Sequence, residues 1–458
     1  MDSSRLNGQK QLSFPWVVAT TSLAFVVSQL DVSIVNIALP QIAKSLNANI
    51  STLQWIIDAY TLAFAVLMLS AGSLSDILGS KMIFQLGIIL FAGASIGCGL
   101  SGSSVMLILF RAIQGIGAAA MIPSSLSILN QAFSDDQVKR ARAVALWTAA
   151  GSVAIAAGPI FGGLLIKISN WRSIFFVNVP ICLIGILMSF RLTSNKRQPG
   201  QGLDIPGQTT WTLALAALIA VIIECHSTGF KNALIIGGFV FSIVMMIWFI
   251  RIEKKASHAM LPLTLFKSSS FNVLLLLGTV LNNAYYGTVF VLSLYLQNVL
   301  RYPPLTAGLA FLPLTAGFIC SNLLSSKMIE KFGMRTPILI GLCIFVLGFT
   351  GLTFAKATTP YWQLLIPFFI IPMGMGLAVP AMTNGILSSV DKDISGTASA
   401  VLNTTRQAAG AIGVAIFGAM ANGGAAAIVH AITVSSLLSI GTSLCIAALI
   451  FKYLKTQA

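Results

Sequence analysis

Leu30-Asp31-Val32-Ser33-Ile34-Val35-Asn36-Ile37-Ala38-Leu39-Pro40 decides how this chain is read. The segment closes an apolar stretch that begins at Trp16 and is long enough to cross a bilayer. Asp31 sits inside it. A carboxylate near the membrane centre costs at least about 2.5–3.5 kcal/mol on insertion scales, so it is kept only where it faces protein or a wet cavity. A titratable acid in a spanning helix is by default a proton or ion site, and that points to transport.

The rest of the 458 residues has the same character. Of these, 56% are hydrophobic and only 9% charged, against about a quarter charged in soluble domains. Runs of about 20 apolar residues predict fourteen spans, near 16–39, 52–71, 82–101, 106–130, 142–166, 173–191, 208–226, 232–250, 272–297, 305–326, 336–355, 362–389, 397–420 and 432–453. The expected fold class is an all-α polytopic membrane protein. A net charge of +15 suggests nucleic acid in a soluble protein, but here the basic residues follow the loops. With the N-terminus inside, most of the 27 Lys and Arg fall in cytoplasmic segments, and only Lys44, Lys167, Arg172, Lys231, Arg301 and Lys356 lie in outer loops. That bias puts both termini in the cytoplasm. The balance is a topology signal, not a nucleic-acid signal.

The first fifteen residues are polar and no small-residue cleavage site follows them, so the first span is expected to stay as a signal anchor. The six cysteines are scattered, nearly all within spans, and form neither a disulfide framework nor a zinc pattern. No Gly-Lys dipeptide occurs, hence no phosphate-cradling loop of the G-x-x-x-x-G-K-[ST] type. No cofactor, metal or enzymatic activity is expected. The energy has to come from a gradient or from partner subunits.

Asp76-Ile77-Leu78-Gly79-Ser80-Lys81 follows the second span, and Glu330-Lys331-Phe332-Gly333-Met334-Arg335 follows the tenth. Both read acid-x-x-Gly-x-base, at an offset of 254 residues. The same offset sets Arg142 on Gly396, each at the start of a span. The first six spans and the last six therefore read as parallel repeats, with two spans inserted between them, a recurrent secondary-transporter design. This divides the chain into 1–200, an inserted pair in 201–260, and 261–458. The offset places Tyr285 opposite Asp31, so the acidic site belongs to the first repeat alone.

These segments together resemble the major facilitator superfamily, specifically its fourteen-helix drug:proton antiporters. Leu30 to Pro40 is similar to that group's first-helix signature, and Gly72 to Lys81 to the superfamily's motif between the second and third helices. Arg111-Ala112-Ile113-Gln114-Gly115-Ile116-Gly117 resembles the fourth-helix motif. Gly151 with Gly158-Pro159-Ile160-Phe161-Gly162-Gly163 resembles the antiporter motif of the fifth. Asn403-Thr404-Thr405-Arg406-Gln407, followed by Gly410, resembles the pattern of the thirteenth. The loop motif usually carries bases where Ile77 and Ser80 stand here; Asp76 is still expected to cap a helix and pair with Lys81. The resemblance implies two six-helix bundles plus two inserted helices, working as a proton-coupled multidrug exporter in a bacterial plasma membrane. A monomer, with no nucleic-acid partner, is expected.

Rise per residue gives depths. Asp31 lies about 13 Å below the outer face, Asp58 about 9 Å and Arg111 about 8 Å, at ~1.5 Å per residue. Three charges in one layer are expected to meet, with Arg111 holding at least one of Asp31 and Asp58 ionised until substrate or proton displaces it. The plainer reading of Asp31 is a fixed ion pair with Arg111, and of Glu224 a solvated charge at the end of the seventh span. His226, His258 and His430 all fall near span ends and suggest no relay. Gly151, Gly158 and Gly162 share one helix face, where small residues let a neighbouring backbone approach and Pro159 bends the helix. Ordinary packing explains that stripe; the resemblance adds sealing of the outer half against proton leak. Arg406 lies near the middle of its span, with carbonyls, amides or an acid across the cavity as expected partners.

A cavity of acids and aromatic rings suits lipophilic cations, through charge and cation–π contact. Trp55 and Tyr60 beside Asp58, with Asn282, Tyr285 and Tyr286 on the ninth span, are the candidate lining, and Met373 and Met375 beside Pro372 add an adaptable wall. The reading is export of hydrophobic, mainly cationic compounds against protons by alternating access. Its rivals are a narrow exporter of a metabolite, amino acid or siderophore, which Arg406 would suit, and a transporter-like sensor without flux, which the short loops argue against. A nutrient importer is disfavoured by the Gly158-Pro159 motif through the resemblance alone.

Overall fold

A computed structural model describes residues 13–454, apart from 193–203, 230, 257–260, 262 and 391–394. Its described residues contain helices and no strand. In order these are α1 (Phe14–Leu46), α2 (Ile50–Leu78), α3 (Ser80–Leu100), α4 (Ser104–Ala132) and α5 (Gln137–Ile168). A single broken turn, α6 (Ser173–Phe176), leads into α7 (Asn178–Ser189). Then come α8 (Ile205–Thr228), α9 (Ala233–Glu253) and α10 (Ser269–Leu294), the last continued by a π-helical turn Tyr295–Val299. The chain ends with α11 (Pro304–Ala310), α12 (Leu312–Phe332), α13 (Arg335–Leu352), α14 (Tyr361–Ser388), α15 (Ser395–Met420) and α16 (Ala425–Tyr453).

Eleven helices among the described residues are long and apolar enough to cross a bilayer, twelve when the two arms of α5 count as one. Helix stands at every predicted span, but α15 and the short Ser173–Ser189 segment fall outside that test. In α15 the polar run Asn403-Thr404-Thr405-Arg406-Gln407 dilutes the apolar character. The bend of 42° in α5 falls between Ile155 and Ala157. Proline has no N–H to return to the carbonyl four residues earlier, and Ile155 is that residue for Pro159.

α1 packs along α5 and crosses α4 and α7, while α2 and α3 both lie on α4. In the second half α10 packs on α15, α16 and α14, and α14 is flanked by α12 and α13. The halves meet where α2 lies along α15 and where α5 touches α11. We call the two ends of the bundle the Pro40 end, where α1 gives way to α2, and the Gly79 end, where α2 gives way to α3.

Both joints of the Gly-x-base repeat have the same build. Gly79 has φ +98° and its counterpart Gly333 has φ +70°, a region that a side chain penalises. Lys81 Nζ donates to the carbonyls of Phe190 at 2.9 Å and Leu192 at 2.6 Å, beyond the end of α7. The Asp76 side chain lies outside the described atoms. Arg335 repeats the arrangement, donating to the Phe451 carbonyl in α16 at 2.9 Å. Terminal carbonyls have no helical partner and sit at the negative end of the dipole, so a base there satisfies both.

Candidate functional site

Asp31 and Arg111 meet as an ion pair, wholly inside the protein. The second carboxylate oxygen accepts from Gln114 Nε2 at 2.9 Å and from Asn178 Nδ2 at 2.8 Å. Gln114 follows Arg111 by three positions on α4, which places it on the same face. Its oxygen accepts from Arg111 Nη1 at 2.8 Å, and its amide also donates to Ser95 of α3 at 2.9 Å. Arg111 Nε donates to the Ile56 carbonyl of α2 at 3.0 Å. Its guanidinium lies over the Tyr60 ring, 4.4 Å from the centroid. The Tyr60 hydroxyl is 3.0 Å from Ser28 Oγ. One carboxylate thus ties together α1, α2, α3, α4 and α7.

Buried charges survive in a span only with their hydrogen-bonding capacity satisfied, and here Asp31 is surrounded by donors. Gln114 and Asn178 complete it without having been assigned a role from the sequence. Gln114 stands within the quoted fourth-helix motif, but a neutral amide carries no depth argument. Asn178 becomes a neighbour only once α7 is placed beside α1.

Asp58 does not join this layer. It is fully buried, and neither oxygen has a hydrogen-bond partner. Similar depth brought it into the expectation, but depth does not fix direction around the helix. Gln54, one turn earlier on the same face, donates to the carbonyls of Val414 and Ala415 on α15, at 3.0 and 2.7 Å. Asp58 follows it into the α2–α15 seam, whereas Tyr60, two positions on, turns to α4. Tyr60 is itself sealed at 1% exposure rather than lining a cavity. Trp55 Nε1 donates to Glu224 Oε1 at 3.1 Å, so Glu224 is held by protein instead of standing in solvent.

In the second half, Asn282 turns its amide onto its own helix, donating to the Gly278 carbonyl at 2.8 Å. Tyr285 and Tyr286 are partly accessible in mid-helix, with their rings edge to face at 5.5 Å. Arg406, also partly accessible, has none of the expected partners: no hydrogen bond or ion pair reaches it from the described residues, and its Nε is orphaned. Lys139 and Asp136 form a second ion pair, exposed at the start of α5 and outside this site.

The glycine stripe of α5 lies on α1. A Cβ on Gly151 would meet the Phe25 ring, on Gly158 the Ser33 hydroxyl, and on Gly162 the Ile34 side chain at 2.8 Å. Beyond Pro159 the same helix touches the second half. A Cβ at Gly163 would be 2.7 Å from Leu305 Cα, and Gly308 faces the Pro159 carbonyl. At this Pro40 end Ser293 Oγ also donates to the Asn36 carbonyl, and Gln297 Nε2 to that of Ile37 at 3.0 Å. Apolar residues of both halves, including Ile34, Ile37, Phe290 and Ala307, form one continuous core there.

The sequence profile of the Major Facilitator Superfamily matches residues 21–414. The chain belongs to that superfamily. It is 35% identical to the methylenomycin A resistance protein of Bacillus subtilis (strain 168), over 88% of this chain and 86% of that protein. It is 33% identical to the drug efflux pump JefA of Mycobacterium tuberculosis, over 88% of this chain and 79% of that one. Among solved structures it superimposes on a point mutant of the nucleoside transporter NupG with a TM-score of 0.68, covering 96% of this chain and 100% of that one at 11% identity, a likeness of fold. The protein is a multi-pass membrane transporter of the drug-exporter kind, not an enzyme.

Proposed function

We propose that this transporter exports hydrophobic drug-like compounds in exchange for protons, by alternating access between the bundles of residues 1–200 and 261–458. The inserted pair in 201–260 brings the proposed count to fourteen spans. Both termini are then cytoplasmic and the Pro40 end faces outward, as the loop distribution of basic residues favours. The working unit is a single chain in the bacterial plasma membrane.

The observation that carries the proton half is the Asp31 cradle. Every donor around it answers a negative carboxylate. Protonation removes the charge that Arg111 answers, while Arg111 stays tethered through the Ile56 carbonyl and the Tyr60 ring. The cradle then has to rearrange, and α1 carries the change. Asn36 and Ile37, whose carbonyls hold Ser293 and Gln297 of the other half, lie about 8 Å further along the same helix at ~1.5 Å per residue. Proton occupancy and the closure of the Pro40 end are coupled by that short connection.

A cationic cargo has to reach Asp31 or Asp58, and in this conformation both carboxylates are closed off by protein. A narrow cargo list is the second reading, favoured by a relative whose name carries a single antibiotic, methylenomycin A. Inside-out vesicles with an acid interior and a pH-sensitive dye test the proposal. Lipophilic compounds such as ethidium or tetraphenylphosphonium, together with neutral and anionic drugs, discharge the gradient in wild type and leave it intact in Asp31→Asn. A wild-type gradient that survives every compound overturns proton exchange.

A further inference from the structure

Arg406 is a cation near the middle of α15 that nothing in the described protein answers. The second-half helices packed on α15, namely α10, α14 and α16, carry no carboxylate; in the first half Asp31 is spent on Arg111, Gln114 and Asn178, and Asp58 makes neither an ion pair nor a hydrogen bond with the arginine. No described carbonyl or amide accepts from the guanidinium either. An arginine kept in a spanning helix solely for packing finds backbone or side-chain acceptors, because an unanswered charge there is costly. This one is left facing accessible space.

What surrounds it defines a ligand. The stem of Arg406 passes Gly278 of α10, where a Cβ would be 3.3 Å from its Cγ, and the Leu402 and Met382 side chains crowd the same point at 3.2 Å. Tyr286 packs against Gly410, one turn further along α15 on the arginine's face, at 3.1 Å from a Cβ placed there. The partly accessible groups here are one positive fork and two tyrosine rings whose hydroxyls can donate. No carboxylate stands among these side chains.

We propose that Arg406 is the headgroup site for an anionic cargo, an amphipathic compound whose carboxylate, or an equivalent planar anion, pairs with the guanidinium while its apolar body lies against the partly accessible rings of Tyr286 and Tyr285. This rests on the reading of the chain as an exporter and names the charge of what it carries. A guanidinium binds a carboxylate through two parallel hydrogen bonds, which a neutral amide cannot reproduce. It also fixes a consequence for energetics. An anion leaving against an entering proton moves charge in the same direction twice, so transport is driven by membrane potential as well as by the proton gradient.

The test uses the purified full-length chain in lipid nanodiscs and three probes with one pyrene ring and one linker. They are pyrenebutyrate, pyrenebutanamide and pyrenylbutyl-trimethylammonium. Wild type is expected to bind the carboxylate about tenfold more tightly than the amide and the ammonium, the order of a charge-assisted bidentate contact. Arg406→Gln removes that preference, and Arg406→Lys, which keeps the charge but not the fork, retains a smaller one. The wild-type comparison needs no variant and stands even where a variant fails to fold. Equal binding of acid and amide overturns the proposal, as does tighter binding of the ammonium, no binding of pyrenebutyrate, or a preference that survives Arg406→Gln. Export itself fails separately, when vesicles holding the same protein show no gradient discharge with any of the three probes.

Discussion

At the scale of single residues, the buried charges differ in whether they have partners: Asp31 and Arg111 have each other, and Arg406 has none among the described residues. Removing one member of a buried ion pair leaves the other uncompensated, which costs about 3–5 kcal/mol. Arg111→Gln is therefore expected to lower the thermal unfolding midpoint in detergent more than the double variant Asp31→Asn/Arg111→Gln. The difference is a coupling energy that a tryptophan-fluorescence melt reads directly. Asn178→Ala removes one donor from Asp31 and is expected to cost about 1–3 kcal/mol, with the pH profile of proton exchange displaced while the Arg111 pair remains. The pairing of Asp31 with Arg111 was legible in the sequence, since two opposite charges at similar depth in neighbouring spans have few other solutions. Gln114 and Asn178 were not, because a neutral amide announces itself only when its neighbours are known. Asp58 and Tyr60 were placed on one lining when they face opposite ways. Two positions at about 100° per residue turn the helix through about 200°, and closeness in sequence leaves that out.

At the scale of helices, the inserted pair has a definite seat. α8 lies across the seam between the halves, with Ile219 and Ile223 packed among Ala411 and Ala415 of α15 and against Trp55 and Leu62 of α2. Gln208 Nε2 donates to the Val66 carbonyl at 2.7 Å, and Trp55 reaches Glu224 near the opposite end. α9 packs on α8, and much of its surface is apolar and exposed, Ile236 at 53% among it. Ile219→Ala is therefore expected to cost about 2–5 kcal/mol through the cavity it leaves, and Ile236→Ala less than about 0.5 kcal/mol, compared by melts in the same detergent. Hydrophobicity placed both spans correctly along the chain. It did not distinguish them, because apolar residues facing lipid and apolar residues facing protein have the same composition. The bend in α5 was legible from Pro159, and its glycine stripe from spacing, since three small residues on one face let a neighbouring helix come close; that the neighbour is α1 shows only in the fold.

At the scale of the whole molecule, the internal repeat and the closed Pro40 end belong together. The offset of 254 residues found in the sequence reappears as paired joints, Gly79 with Gly333 and Lys81 with Arg335, each base fastening the last helix of its own half. Each half is tied internally by such contacts, so relative motion has to break what lies between them. At the Pro40 end that is a short latch: Ser293 and Gln297 of α10 on the carbonyls of α1, Gln54 of α2 on those of α15, and the close approach of α5 to α11. Two of these bonds can be removed without touching the core, by Ser293→Ala with Gln297→Ala. At about 0.5–1.5 kcal/mol each, their loss shifts the balance toward the open form by roughly tenfold. Ile37, fully buried at this end, reports it. In a cysteine-free background, maleimide labelling of Ile37→Cys is expected to be slow in the intact latch and about tenfold faster in the double alanine variant, the factor following from that free-energy change. Equal labelling in both would mean that the polar latch does not hold the end shut, and that the shared apolar core of Ile34, Phe290 and Ala307 closes it unaided.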